Sequence, residues 1–111
     1  MSKPYAMIDL GYPRTPTDAW YHVNMPNGDV YRVPVQVIVD SRDNHYRYKA
    51  ENTIDRIHRG FLGEVDVEDW AHYCMNWHEV EEYAERVPYR TREVDFQEGW
   101  DNSKNKVVGA L

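Results

Sequence analysis

Residues 19–39 read Ala19-Trp-Tyr-His-Val-Asn-Met25, Pro26-Asn-Gly-Asp29, Val30-Tyr-Arg-Val33, Pro34-Val-Gln-Val-Ile-Val39, and this stretch decides the fold. Strict alternation puts Ala19, Tyr21, Val23 and Met25 on one face and Trp20, His22 and Asn24 on the other, as in a half-buried strand. Asn27-Gly28 supplies the positive φ of a tight reversal, so 19–33 is expected to form a hairpin. After Val33 two signals compete. The β-branched residues favour more strand. Pro34 cannot donate to a ladder but suits the first position of a helix, and Val35, Ile38, Val39, Arg42 and Tyr46 keep helical spacing. We read the strand to Val33 and a helix from Pro34 to about Lys49.

Before the hairpin, residues 1–17 carry Pro4, Pro13, Pro16 and Gly11 and read as an irregular arm, with Ala6–Leu10 a candidate edge strand. Beyond the helix, Asn52 or Thr53 caps a short turn holding Ile54, Ile57 and Phe61, ended by Gly60 or Gly63. Asp66 reads as the N-cap of a helix through Val67, Trp70, Ala71 and Cys74, with Glu68 and Asp69 in its first turn. Asn76-Trp-His-Glu79 has capping-box spacing. It restarts the pattern through Val80, Tyr83, Ala84 and Val87 until Pro88 stops it. The tail, Glu93-Val-Asp-Phe-Gln-Glu-Gly-Trp100 followed by 101–108, reads as a second hairpin turning at Asp101–Lys104. The fold expected is α+β, a small antiparallel sheet of two hairpins with about three helices on one face.

A chain of 111 residues makes residues 1–111 a single domain. One cysteine, Cys74, rules out an intramolecular disulfide and any zinc site built on cysteines. The start, Met-Ser-Lys-Pro, leads into no apolar run, and no window approaches the roughly 18 apolar residues of a membrane span. A cytoplasmic setting and no membrane partner are expected. The net charge of −6 argues against direct nucleic-acid binding, which needs Lys and Arg to displace counterions.

Between Glu64 and Glu85 the chain carries eight acids and no Lys or Arg. The acids alternate with Val65, Val67, Trp70, Tyr73, Met75, Trp77, Val80 and Tyr83, a content that folds rather than forming a disordered tail. Such a run reads either as a solvated face that keeps the protein soluble or as an interaction surface; like charges in adjacent turns cost stability, and the rings spaced among the acids favour the second. Basic residues in His45–Arg59, namely Arg47, Lys49, Arg56 and Arg59, are placed to neutralise part of it.

Motifs for chemistry are sparse. His72 and His78 are six apart, not the four that a helical zinc pair needs. Cys74 is expected to point into the core, and His72 stands on another face from it. Gly60 and Gly63 lack the lysine of a phosphate loop. Neither a cofactor nor a metal is expected, and no catalytic residue is assigned.

The order of features from Trp20 onward resembles small proteins of tailed bacteriophages, notably phages of cyanobacteria. The matching segments are Met25-Pro-Asn-Gly-Asp29 leading into Val33-Pro-Val-Gln-Val-Ile38, then Cys74-Met-Asn-Trp77 with Val80, then Val94-Asp-Phe-Gln-Glu-Gly-Trp100. The likeness spans roughly residues 20–108. Those proteins tend to follow the valine-rich segment with Arg-Ala-x-Tyr-Tyr-Ala, where this chain has Ser41-Arg-Asp-Asn-His-Tyr46, without the alanines. The resemblance implies a phage setting and no mechanism.

The expected function is a small acidic protein-interaction module, an inhibitor or modulator of a host nucleic-acid-handling protein. It would engage a partner with a basic surface through Asp66, Glu68, Asp69, Glu79, Glu82 and Glu85, with Trp77 as aromatic anchor. One alternative is an assembly protein or homo-oligomer using exposed Trp20, Tyr31 and Trp100. Another is a small-ligand binder or weak enzyme with a pocket holding His72, His78 or Cys74.

Overall fold

The computed structural model describes residues 5–6, 15–47, 52–87, 99–101 and 105–111. The hairpin forms as expected: β1 (Trp20–Asn24) pairs antiparallel with β2 (Val30–Pro34), Tyr21 opposite Val33 and His22 opposite Arg32. Its loop closes by Met25 N–H on Asp29 O at 2.8 Å and Gly28 N–H on Met25 O at 3.0 Å, with Gly28 at φ +89°. That left-handed angle is open to glycine at no steric cost.

Pro34 reconciles the two signals at the end of β2. It sits opposite Trp20 as the last strand residue, at φ −58° and ψ 127°, and it is also the N-cap of α1 (Val35–Tyr46). The helix therefore starts one residue later than expected. Val35 N–H bonds Ala19 O at 3.0 Å, which carries the β1–β2 ladder directly into the helix. Residues 35–40 are all buried, so the Val/Ile run belongs to a helix enclosed nearly all round, which explains why it also looked like a strand. The helix ends at Tyr46 rather than Lys49, because Arg47 turns into the left-handed region (φ 54°, ψ 44°) and returns its N–H to Asp43 O at 2.7 Å. Tyr46, expected on the buried face, is 51% exposed.

Helix α2 (Thr53–His58) starts at Asn52, whose side chain accepts from Asp55 N–H while Asp55 accepts from Asn52 N–H, both at 3.2 Å. It docks on α1 through Asp43, whose Oδ1 accepts from Thr53 N–H at 2.8 Å and from the Thr53 hydroxyl at 2.5 Å. Helix α3 (Glu64–Cys74) packs Val67 and Ala71 inward and crosses α1. Met75 is extended and buried, breaking α3 from α4 (Trp77–Val80) where two short helices were expected to meet. The apolar face expected to run on to Val87 is instead a 3₁₀ turn, Glu81–Tyr83, and then β3 (Glu85–Arg86), which pairs with β2.

Among the described residues the sheet has four antiparallel strands in the order β3-β2-β1-β4, with β4 (Lys106–Val108) beside β1. The class is α+β, as expected. The expected second hairpin is replaced in part: β4 pairs with β1, and Gly99–Trp100 end in a helical turn rather than a strand. Its other half, like residues 7–10 of the candidate edge strand at Ala6–Leu10, lies outside the described residues, and Ala6, which is described, is not in a strand. No helix among the described residues is long and apolar enough to cross a membrane.

Trp100 is fully buried between Tyr21 (ring centroids 5.3 Å apart) and Trp77 (6.5 Å), and its indole N–H donates to Met75 O at 2.9 Å. Asn105 Nδ2 donates to the carbonyls of Gly99 (2.8 Å) and Trp100 (2.9 Å), while its Oδ1 accepts from Asn24 N–H at 2.7 Å. A β-carbon at Gly99 would overlap Met25 Sδ and lie 3.2 Å from Met25 Cα, so a side chain there requires the buried Met25 to move.

Burial, reinforced by the nearby Glu68 carboxylate, pushes the Tyr21 phenol up to about 12 against the hydrogen bond of Asn105. The folded state thus prefers the neutral phenol; this contribution is complete below pH 10 and is lost as pH rises toward 12. Thermal melts of the Tyr21→Phe protein are expected to show a smaller loss of Tm between pH 10 and 12 than the parent. Trp100→Phe, which strands the Met75 carbonyl, should cost about 1–3 kcal/mol by urea denaturation, and Trp100→Ala about 3–5 kcal/mol.

Candidate functional site

Glu64 opens α3, which begins two residues before Asp66. Asp66 is its third residue, not its N-cap, and its Oδ2 reaches back to Gly63 N–H at 2.8 Å. A carboxylate at that position both satisfies an otherwise orphaned N–H and meets the positive end of the helix dipole. The outward side of α3 is the row Val65-Asp69-Tyr73, and the half-buried Glu68 and His72, in line with Glu64, form its flank. Val65 is 58% and Tyr73 77% exposed, and the Tyr73 ring meets His72 edge-on at 4.6 Å.

The eight acids divide by what they touch. Glu68 Oε2 accepts from Val107 N–H at 2.7 Å, covering an outward donor of the edge strand β4. Glu79 accepts from Asn76 N–H at 2.8 Å and starts α4. Glu85, on β3 and not on a helix, forms an ion pair and hydrogen bond with Arg32. Glu81 pairs with His78 Nδ1 at 3.2 Å. Glu64, Asp69 and Glu82 are exposed. Neither Glu64 nor Asp69 pairs with a basic side chain among the described residues.

The structure thus gathers Val65, Asp69 and Tyr73 on one helix side, with Glu64 exposed at the helix start, while Asp66, Glu68, Glu79 and Glu85 hold helix starts and strand edges. Trp77, expected as a surface anchor, is 6% exposed and packs edge-on against Tyr31 at 5.6 Å. Of the aromatics proposed for assembly, Trp100 is in the core, Tyr31 faces Trp77, and Trp20 lies beneath the Arg32 guanidinium at 4.0 Å. Cys74 is exposed and not in the core, because α3 ends there and Met75 takes the inward position. Of the basic residues placed to neutralise the acids, Arg59 stacks on Phe61 at 5.4 Å and Lys49 lies outside the described residues.

Two features escaped the sequence reading. An aromatic cluster flanks α3, with Trp70 5.1 Å from His45 and 5.7 Å from Tyr46, and Arg42 over Tyr46 at 4.8 Å. On the sheet, Arg32, His22 and Lys106 lie in one cross-strand row, and burial followed by those two cations lowers the His22 pKa. Strand register sets that row, and register was invisible until β4 was placed. His72, His78 and Cys74 do not line the cleft of about 330 Å³ formed by residues 5, 16–20, 34 and 36. Among the described residues no three His, Cys, Asp or Glu side chains are grouped to hold a metal.

Comparison of the chain with known protein families, with curated proteins and with solved structures finds no match.

The division of the acids has a thermodynamic consequence. Glu68→Ala should lower urea stability by about 1–3 kcal/mol, since it strands Val107 N–H. Asp69→Ala should stay within about 0.5 kcal/mol of the parent, as suits an exposed side chain with no ion pair among the described residues.

Proposed function

We propose that the protein is a small protein-interaction module that binds a basic partner through the outward side of α3. What supports this reading is the exposure of Val65 (58%) and Tyr73 (77%) around the Asp69 carboxylate, within a stretch from Glu64 to Glu85 that has no Lys or Arg. Apolar groups flanked by carboxylates suit a surface that presents cations beside an apolar patch. The charge governs encounter and partner choice, and desolvation of the valine and the phenol ring supplies affinity.

Proteins that handle nucleic acid display such surfaces, since their grooves are lined with Lys and Arg for phosphate. In the phage setting that the sequence resemblance suggests, the partner is a host protein of this kind, and occupation of its groove inhibits it. Glu82, exposed beyond α4, extends the acidic side. Asp66, Glu68, Glu79 and Glu85 belong to this surface only through their field, because their oxygens already bond Gly63, Val107, Asn76 and Arg32.

The test is capture of partners from the presumed host at low and high salt, using the parent and a Glu64→Lys/Asp69→Lys/Tyr73→Ala variant. Capture by the parent is expected to weaken with salt, and the variant should bind about tenfold less or worse while melting like the parent. Equal capture by a folded variant would remove the α3 surface from consideration.

A further inference from the structure

The cleft of about 330 Å³ lies between the start of α1 and the segment leading into β1, lined by Tyr5, Pro16, Thr17, Asp18, Trp20 and Gln36 among others. Thr17 N–H on Gln36 Oε1 at 2.9 Å and Val35 N–H on Ala19 O at 3.0 Å hold its two sides together. Its volume is at the lower end for pockets that enclose a ligand. Three observations set its chemistry.

Charge comes first. Asp18 is exposed and is the charged residue of the lining. A second carboxylate bonds two residues of the lining: Asp40, fully buried, accepts from Tyr5 O–H at 2.6 Å and from Gln36 Nε2 at 2.8 Å. The second observation is aromatic. A tyrosine that donates to a carboxylate has an electron-rich ring, and Trp20 already accepts a guanidinium, that of Arg32, at 4.0 Å from its ring centroid. Glu85 pairs with that arginine and offsets part of its charge beside the cleft. The third is continuity with the acidic segment. Tyr5 meets Tyr83 edge-on at 4.9 Å, and Tyr83 ends the turn that carries Glu81 and Glu82.

We propose that this cleft is a pocket for a guanidinium side chain, in which an arginine of the basic partner seats with its planar head against Tyr5 and Trp20 and its charge toward Asp18. The proposal deepens the protein-binding reading and rests on it. A guanidinium suits the site better than an ammonium, because it stacks on rings while its edge donates to a carboxylate. The pocket also supplies what a charged surface alone lacks, a fixed register for one side chain of the partner.

The experiment titrates isotope-labelled protein of residues 1–111 with N-acetyl-arginine amide and follows backbone, Gln36 side-chain and indole N–H signals by NMR. N-acetyl-citrulline amide, the neutral isostere, is the control. The arginine probe is expected to shift Thr17, Asp18, the Trp20 indole and Gln36 with millimolar affinity, and citrulline should leave them in place. Asp18→Asn should weaken the probe about fivefold with the rest of the spectrum unchanged, the scale of one exposed charge pair. Equal shifts from the two probes, no shift at the cleft, or undiminished binding to Asp18→Asn overturns the pocket. A protein that ignores the arginine probe yet loses its partner through the α3 substitutions keeps the interaction surface and loses only the pocket.

Discussion

The molecule is closed by the burial of one indole. Trp100 is fully enclosed, with its ring against Tyr21 of the central strand and Trp77 of α4, and its N–H on the carbonyl of Met75. Met75 is where α3 stops, and the last carbonyls of a helix have no partner within it. The tail thus satisfies the break between two helices while filling the space between helices and sheet. Asn105 then fixes the carbonyls of Gly99 and Trp100 and the Asn24 N–H, which brings Lys106–Val108 alongside β1. Sheet edge, helix break and C-terminal segment all depend on this packing, and a side chain at Gly99 would require the buried Met25 to move.

The acidic stretch serves two purposes that cannot be separated by counting charges. Carboxylates at the starts of α3 and α4 and at the edge of β4 replace water on backbone N–H groups that the fold leaves open, a use in which negative charge stabilises. Glu85 balances the arginine that lies over Trp20. Glu64 and Asp69, exposed on α3, make no ion pair among the described residues, and Asp69 stands beside exposed Val65 and Tyr73. The proposed partner contact therefore rests on these two acids and not on Glu68 or Asp66, whose oxygens already bond backbone N–H groups.

Much of the site was legible in part. The acid-and-ring composition of Glu64–Glu85 was plain, and so was the helix break, since Asn76 and Glu79 have the spacing of a cap. The inward or outward direction of each ring was not. Trp77 and Trp100 have the same composition signal as an exposed anchor, and only their neighbours decide between core and surface. The cleft was beyond reach because it brings Tyr5 to Gln36 through the buried Asp40 carboxylate and sets Asp18 in the same lining, contacts with no local spacing to betray them.

Local order was within the power of the sequence. Alternation over 19–25, the Asn-Gly reversal, and the capping signals at Asn52 and Asn76 are short-range steric and hydrogen-bonding preferences, and they survived folding. Tertiary structure alone decided the strand order β3-β2-β1-β4, the conversion of Glu85–Arg86 from helix to edge strand, and the burial of Trp100. Those outcomes turn on which distant segments share one core, and competition for apolar contact and for open backbone donors is settled between elements, not within them.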